Sequence, residues 1–192
     1  MIVDVLDLLG DNASPGTAAN TVALVLHKLG SGGSSTAARI QFWRTDHGWM
    51  KADTMEDCHV IDACLNATVC KNLFLCNRQK TNFYLLMMPG DKPFKTKELS
   101  HQLGIARLSF ASPEDMEQYL DCTPGSSSIM GLANDAENKV QLLMDEDIKA
   151  GEYLGCHPCI NTSSLKLRTA DVLETFLPAV HHEPIFVHLT GE

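Results

Sequence analysis

The sequence predicts a mixed α/β domain, and three observations carry that expectation. Two β-rich apolar runs, "ATVCKNLFLCN" and "NFYLLMMPGD", are joined by the polar "RQKT"; such a pattern is that of a hairpin. "SPEDMEQYLD" has Ser112 at a helix cap, Pro113 in the first turn and acids at the positive end. Strand-like and helix-like stretches then alternate along the rest of the chain with no internal repeat.

Taken in order, residues 1–37 stand apart. "DNASPGT" and "GSGGSSTAA" are turn or linker stretches around "AANTVALVLHKLG", which is apolar enough for one helix. A helical N-terminal extension over 1–37 with a flexible join, followed by one domain over 38–192, is the expected division. "ARIQFWRT" is a predicted strand, and "DTMEDCHVIDACL" a helix after an Asp53 or Thr54 cap. The hairpin follows; its runs are too apolar for an exposed sheet, so both faces should be covered. "KTKELSHQLG" predicts a helix ended by Gly104, and "ARLSF" a strand before the Ser112-capped helix. "TPGSSSIMGLAND" is a loop, "KVQLLMD" and "SLKLR" are strands, and "TADVLETFL" is a helix capped by Thr169.

Composition removes several function classes. The chain has 192 residues, 44% hydrophobic and 20% charged, as ordinary globular domains do. Its longest apolar runs fall short of the roughly 20 residues that cross a bilayer. The acidic start "MIVDVLDLLGDN" lacks the basic flank of a signal peptide, so a cytoplasmic location is expected and no membrane partner. A formal net charge of -9 argues against a broad basic face that coats nucleic acid, so no DNA partner is expected and any RNA contact must be local. The seven cysteines, an odd number, are expected to be reduced thiols, mostly core filler.

Several residues could carry chemistry. Cys156 and Cys159 form a C-x-x-C around His157, but no second ligand pair completes a zinc set, and the residues that follow do not suggest a helix to lower a thiol pKa. No metal site and no cofactor are expected. His157 precedes Pro158 in an irregular segment with Asn161 and Thr162, whose polar groups could converge on a ligand; a plain surface histidine is the alternative. Lys71 lies in an apolar strand, where a cation is costly to bury unless paired or employed; an edge lysine reaching water is the alternative. Gly125 and Gly131 allow backbone N–H groups to approach a ligand, with Ser126, Ser127 and Ser128 as further donors or acceptors, although a Gly/Ser loop is often only a turn. The paired His181 and His182 near the end suggest surface exposure.

Together and in order, K-N-L-F-L, M-P-G-D-K, R-L-S-F-A, T-P-G-S, G-L-x-N-D and H-P-x-x-N-T resemble the YbaK/prolyl-tRNA synthetase-associated domain family from about Arg39 to about Leu177. The likeness is greatest to its free-standing branch, trans-editing proteins that deacylate alanyl-tRNA(Pro). It implies a mixed α/β fold with a curved sheet and flanking helices, whose pocket admits the aminoacylated 3′ end of a tRNA. By position, it implies roles for Lys71 with Asn72 beside it, for Gly125 and its serines as the substrate loop, and for His157. Ile129 stands where the family loop often has proline. The implied mechanism is substrate positioning, with a ribose hydroxyl helping the attacking water and no acyl-enzyme. Met130 is a candidate steric wall that separates alanine from proline, and Lys92, Lys95 and Lys97 are candidate grips on the acceptor end. Prolyl-tRNA synthetase is a candidate partner. The competing readings are a cysteinyl-tRNA(Pro) deacylase of the same fold, a non-catalytic tRNA or synthetase-binding module, and a thiol oxidoreductase or metal site at Cys156 and Cys159.

Overall fold

The computed structural model describes residues 66–67, 69–161 and 163–191, and the backbone of 42–46. The expected helices in 1–37 and 53–65, and Thr162, lie outside the described residues. Strand β1 (Phe42–Asp46) pairs antiparallel with β7 (Ser163–Arg168), which pairs antiparallel with β6 (Tyr153–Cys156). A second sheet has the order β4-β2-β3-β5-β8, where β2 is Cys70–Cys76, β3 Phe83–Pro89, β4 Ser109–Phe110, β5 Val140–Asp145 and β8 Ile185–Val187. The β2–β3 hairpin is antiparallel, whereas β3–β5 and β5–β8 are parallel, so the sheet is mixed, within the mixed α/β architecture that the sequence predicts. A parallel bridge, Val69↔Gly155, links the start of β2 to β6 and joins the two sheets.

The pleat sorts the apolar residues of the hairpin onto two cores. Phe74, Cys76, Leu85 and Met87 share one cluster with Cys156, Leu165 and Leu167 of the smaller sheet. Leu75, Leu86 and Leu143 face the other way, against Leu99, Leu108, Val187 and Leu189. Both faces are therefore covered, which explains why these strands lack a polar face.

Helix α1 (Thr96–Leu103) ends at Gly104, whose φ of 65° is the left-handed turn that glycine tolerates best. Helix α2 (Pro113–Leu120) starts with a full capping box: Ser112 Oγ accepts from Asp115 N at 3.2 Å while Asp115 Oδ2 accepts from Ser112 N at 3.1 Å. A short helix α3 (Glu146–Ala150) follows β5 and is capped by Asp145. The last helical stretch, α4, is α over Thr169–Asp171, π-wound over Val172–Phe176 and α again over Leu177–Ala179.

Three expectations change. "ARLSF" contributes only Ser109–Phe110 to the sheet, because the Leu108 N–H donates to Ser100 Oγ on α1 at 3.2 Å and Leu108 is buried there. Thr169 is the first residue of α4 rather than its cap; its N–H donates to Glu152 O at 3.0 Å, so the chain is held from the β6 side. Strand β6 falls where the sequence assigns no element; four residues including a glycine are too few to show a period. His182 is buried, not exposed: it packs beside buried Asp135 with Nε2 to Oδ2 at 3.6 Å, and burial holds its pKa below the ordinary histidine value.

Candidate active site

The glycine loop is a tight turn before it is anything else. Pro124 and Gly125 occupy its centre, with Gly125 at a φ of 86° and Ser126 N donating to Thr123 O at 2.9 Å. Proline then glycine with positive φ is what a type II turn asks for. Ser126 Oγ donates to Thr123 O at 2.9 Å and accepts from Thr123 N at 3.0 Å, so this hydroxyl is spent inside the turn. Ser128 is spent as well: its Oγ donates to the His157 carbonyl and accepts from Met130 N at 3.2 Å. Ser127 differs, since its Oγ is buried with no hydrogen-bond partner among the described residues.

A 3-10 turn, Ile129–Asn134, carries the loop into the core. Ile129 is fully buried there, so apolar packing and the Ser126 and Ser128 bonds hold the loop without a proline. Met130 belongs to the same cluster as Cys156 and Cys159. Gly131 offers no backbone donor to a ligand, because its N–H already bonds Ser128 O at 3.0 Å. Its requirement for glycine is steric: a Cβ would sit 2.8 Å from Leu120 O.

His157 continues from β6 and is 7% exposed. Its Nδ1 lies 2.9 Å from Ser163 O and 3.3 Å from Ser164 Oγ. A carbonyl only accepts, so Nδ1 carries the proton of the neutral ring and Nε2 is its basic nitrogen. The loop and the histidine are thus joined through Ser128, and β7 sets the ring's orientation.

The flanking cysteines are poor thiolates. Burial pushes the Cys156 thiol up to about 12, against a smaller opposing effect of the Ser128 hydrogen bond. Cys159 is raised too, first by its hydrogen bond with Cys122 and then by burial. A reactive cysteine needs the opposite environment. Among the described residues no group of three or more His, Cys, Asp or Glu is placed to hold a metal ion.

Lys71 and Asn72 are neighbours on β2 and so point to opposite faces. Asn72 faces the side of Phe74; its Nδ2 donates to Cys70 O at 3.1 Å, and its Oδ1 is buried without a partner among the described residues. Lys71 is half-buried on the side of Leu73 and Leu75, and its Nζ donates to Lys92 O at 2.8 Å. Burial holds its pKa below the ordinary lysine value, with Asp91 opposing. The Val69↔Gly155 bridge is parallel, so Lys71 and His157 each lie two residues beyond it on adjacent segments. The ammonium nevertheless bonds the Lys92 carbonyl, not the glycine loop or the imidazole. Asn161 is half-exposed beyond Cys159.

Lys92 is engaged by the protein itself: its ammonium meets Asp145 at 2.9 Å, Asp147 at 2.6 Å and Leu189 O at 2.8 Å. Lys95 and Lys97 instead border a groove together with Lys71, Arg107, Phe94 and Phe110. The sequence assigns no role to the last three; R-L-S-F is visible there as a motif, but its reduction to a two-residue strand is not.

A family model described as "Aminoacyl-tRNA editing domain" matches residues 50–175. The chain is 29% identical over 119 residues to "Prolyl-tRNA editing protein ProX" of Acetoanaerobium sticklandii, which covers 62% of this chain and 73% of that protein. It is 30% identical over 125 residues to "Prolyl-tRNA synthetase associated domain-containing protein 1" of Danio rerio, covering 64% and 67%. A solved structure provisionally described as a trans-editing enzyme for prolyl tRNA synthetase superposes with a TM-score of 0.65 at 13% identity, over 93% of this chain and 99% of that one, and so shares the fold.

Proposed function

Because the chain belongs to the aminoacyl-tRNA editing domain family, we propose that it is a trans-acting deacylase that hydrolyses the ester of mischarged tRNA(Pro), with Ala-tRNA(Pro) as its main substrate. The domain that does so spans 38–192. The observation that carries the reading is the tie from the glycine loop through Ser128 to the His157 carbonyl, beside a strand that bears the half-buried cation of Lys71. A rigid, water-poor cradle next to a fixed positive charge suits an acylated nucleotide end.

The chemistry needs a placed water and donors facing the oxyanion that develops on the ester carbonyl. Loop groups around Gly125 and the unspent hydroxyl of Ser127 are the candidates for the oxyanion side. Lys71 holds the terminal ribose or its phosphate, and Asn72 Oδ1 and the Asn161–Thr162 segment complete the substrate contacts. His157 fixes the orientation of the bound end. A hydroxyl of the terminal ribose helps the water, so no side chain becomes acylated. Alanine is admitted and proline refused by the size of the pocket, with Met130 behind the loop setting its depth.

The test is release of amino acid from Ala-, Cys- and Pro-tRNA(Pro), with a chelator present. Wild type is expected to clear Ala-tRNA(Pro) fastest and to leave Pro-tRNA(Pro) intact, and a Cys156→Ser/Cys159→Ser variant that remains folded is expected to match it. Fastest release from Cys-tRNA(Pro) would move the protein to the sister specificity. Loss in the cysteine variant or with chelator would point to thiol or metal chemistry, and binding without turnover to a non-catalytic module.

A further inference from the structure

Residues of the R-L-S-F run meet the start of α1 in a groove of about 610 Å³, outside the contacts of the glycine loop and the imidazole. Arg107, Phe110, Phe94, Lys95, Lys97 and Lys71 line it, and among the described residues no lining residue is acidic. Four cations therefore converge at one place on a chain whose net charge is -9. Phe110 is 63% exposed and is held edge-on to Phe94, with ring centroids 6.3 Å apart at 71°. Its backbone is fixed by pairing with Leu75, and Arg107 Nε donates to Thr96 Oγ1 at 3.1 Å, which steadies the guanidinium.

An oriented, uncovered aromatic face among cations is the arrangement that binds single-stranded nucleic acid: the ring stacks a base and the cations take phosphates. An acidic peptide would use the cations but leave the ring idle. We propose that this groove holds an unpaired nucleotide of the tRNA's 3′ strand, upstream of the esterified adenosine, with its base on Phe110 and phosphates on Lys95, Lys97 and Arg107. The inference rests on the reading that the substrate is an aminoacylated RNA. Because Lys71 also lines the groove, the strand passes from Phe110 to the lysine that holds the terminal nucleotide. Stacking tolerates any base, so the groove contributes grip and direction rather than sequence choice.

The probe is an uncharged RNA hairpin with a single-stranded 3′ end carrying 2-aminopurine at successive unpaired positions, added to the full chain. Wild type is expected to quench the fluorescence at one position. Phe110→Leu, which keeps the backbone and leaves the buried cores untouched, is expected to abolish that quenching and weaken binding roughly ten-fold, and Phe110→Trp to restore both. Lys95→Ala/Lys97→Ala is expected to keep the quenching but reduce the salt dependence of binding by about 0.7 of a log–log slope unit per lost phosphate contact. On charged substrate Phe110→Leu should raise KM with kcat unchanged. No quenching by wild type, equal quenching by Phe110→Leu, or equal competition by heparin in wild type and Phe110→Leu would overturn the proposal. RNA binding with this pattern but no amino acid release from any tRNA would leave the groove standing and sink the deacylase reading alone.

Discussion

Lys71→Met is expected to lower kcat/KM for Ala-tRNA(Pro) by roughly two orders of magnitude, the loss typical of misplacing a substrate at its reacting centre. Methionine keeps the length and the apolar stem, so the fold should survive; what disappears is the charge and the bond to Lys92 O. Unchanged circular dichroism and thermal midpoint beside lost turnover would assign the effect to substrate handling. Wild-type activity should also fall as Lys71 loses its proton, and burial places that loss below the 10.5 of an ordinary lysine. Lys71→Met should lack that alkaline limb.

Lys92→Met is expected to have the largest effect on stability, about 3–5 kcal/mol, as seen when one partner of a buried ion pair is removed. Asp145 is 0% exposed and would be left without its ammonium partner. Asp145→Leu on top of Lys92→Met should recover part of the loss, and chemical denaturation of wild type and the two variants checks this. The pH dependence has two sides. The Lys92 pKa is raised in the fold, although desolvation opposes the carboxylates, so its contribution is complete below 10.5 and fades as pH climbs through the higher folded value. The Asp147 pKa is lowered by Lys92, so its contribution is present above 3.8 and fades as pH drops through the lower folded value. Asp147 is exposed, so solvent screens its share. Lys92 thus serves the site indirectly: its ammonium pins the segment whose carbonyl receives Lys71.

How much of this the sequence carried depends on the range of each interaction. Ser112, Pro113 and Asp115 make a cap among themselves, and Gly104 ends α1 through bonds to His101 and Ser100, so both features were legible locally. The hairpin was legible because its apolar runs and its turn are contiguous. Short β6 and the loss of most of "ARLSF" from the sheet depend on partners outside their own segments, Leu165–Arg168 for β6 and Ser100 for Leu108, and no pattern within those segments encodes them. His182 looked exposed because its partner Asp135 lies 47 residues away in sequence, a distance that local reading cannot bridge.

The candidate site divides the same way. The Pro124–Gly125 turn is local, and its type follows from the two residues. That Ser128 rather than Ser127 bonds the His157 carbonyl, leaving Ser127 Oγ and Asn72 Oδ1 unspent, is settled only by the fold. Likewise the three lysines grouped in the sequence analysis separate in space, since Lys92 turns inward to Asp145 while Lys95 and Lys97 border the groove.

The central claim is that the cradle formed by the glycine loop, His157 and Lys71 holds the acylated end of the RNA. Its most direct measurement is a structure of the full chain with the hydrolysis-resistant 3′-alanylamido analogue of the terminal adenosine. The account predicts the alanyl carbonyl against the Gly125–Ser128 loop, with Lys71 Nζ on the ribose or its phosphate and the His157 ring beside it. Ligand density elsewhere, with Lys71 still bonded only to Lys92 O and the loop empty, would contradict it.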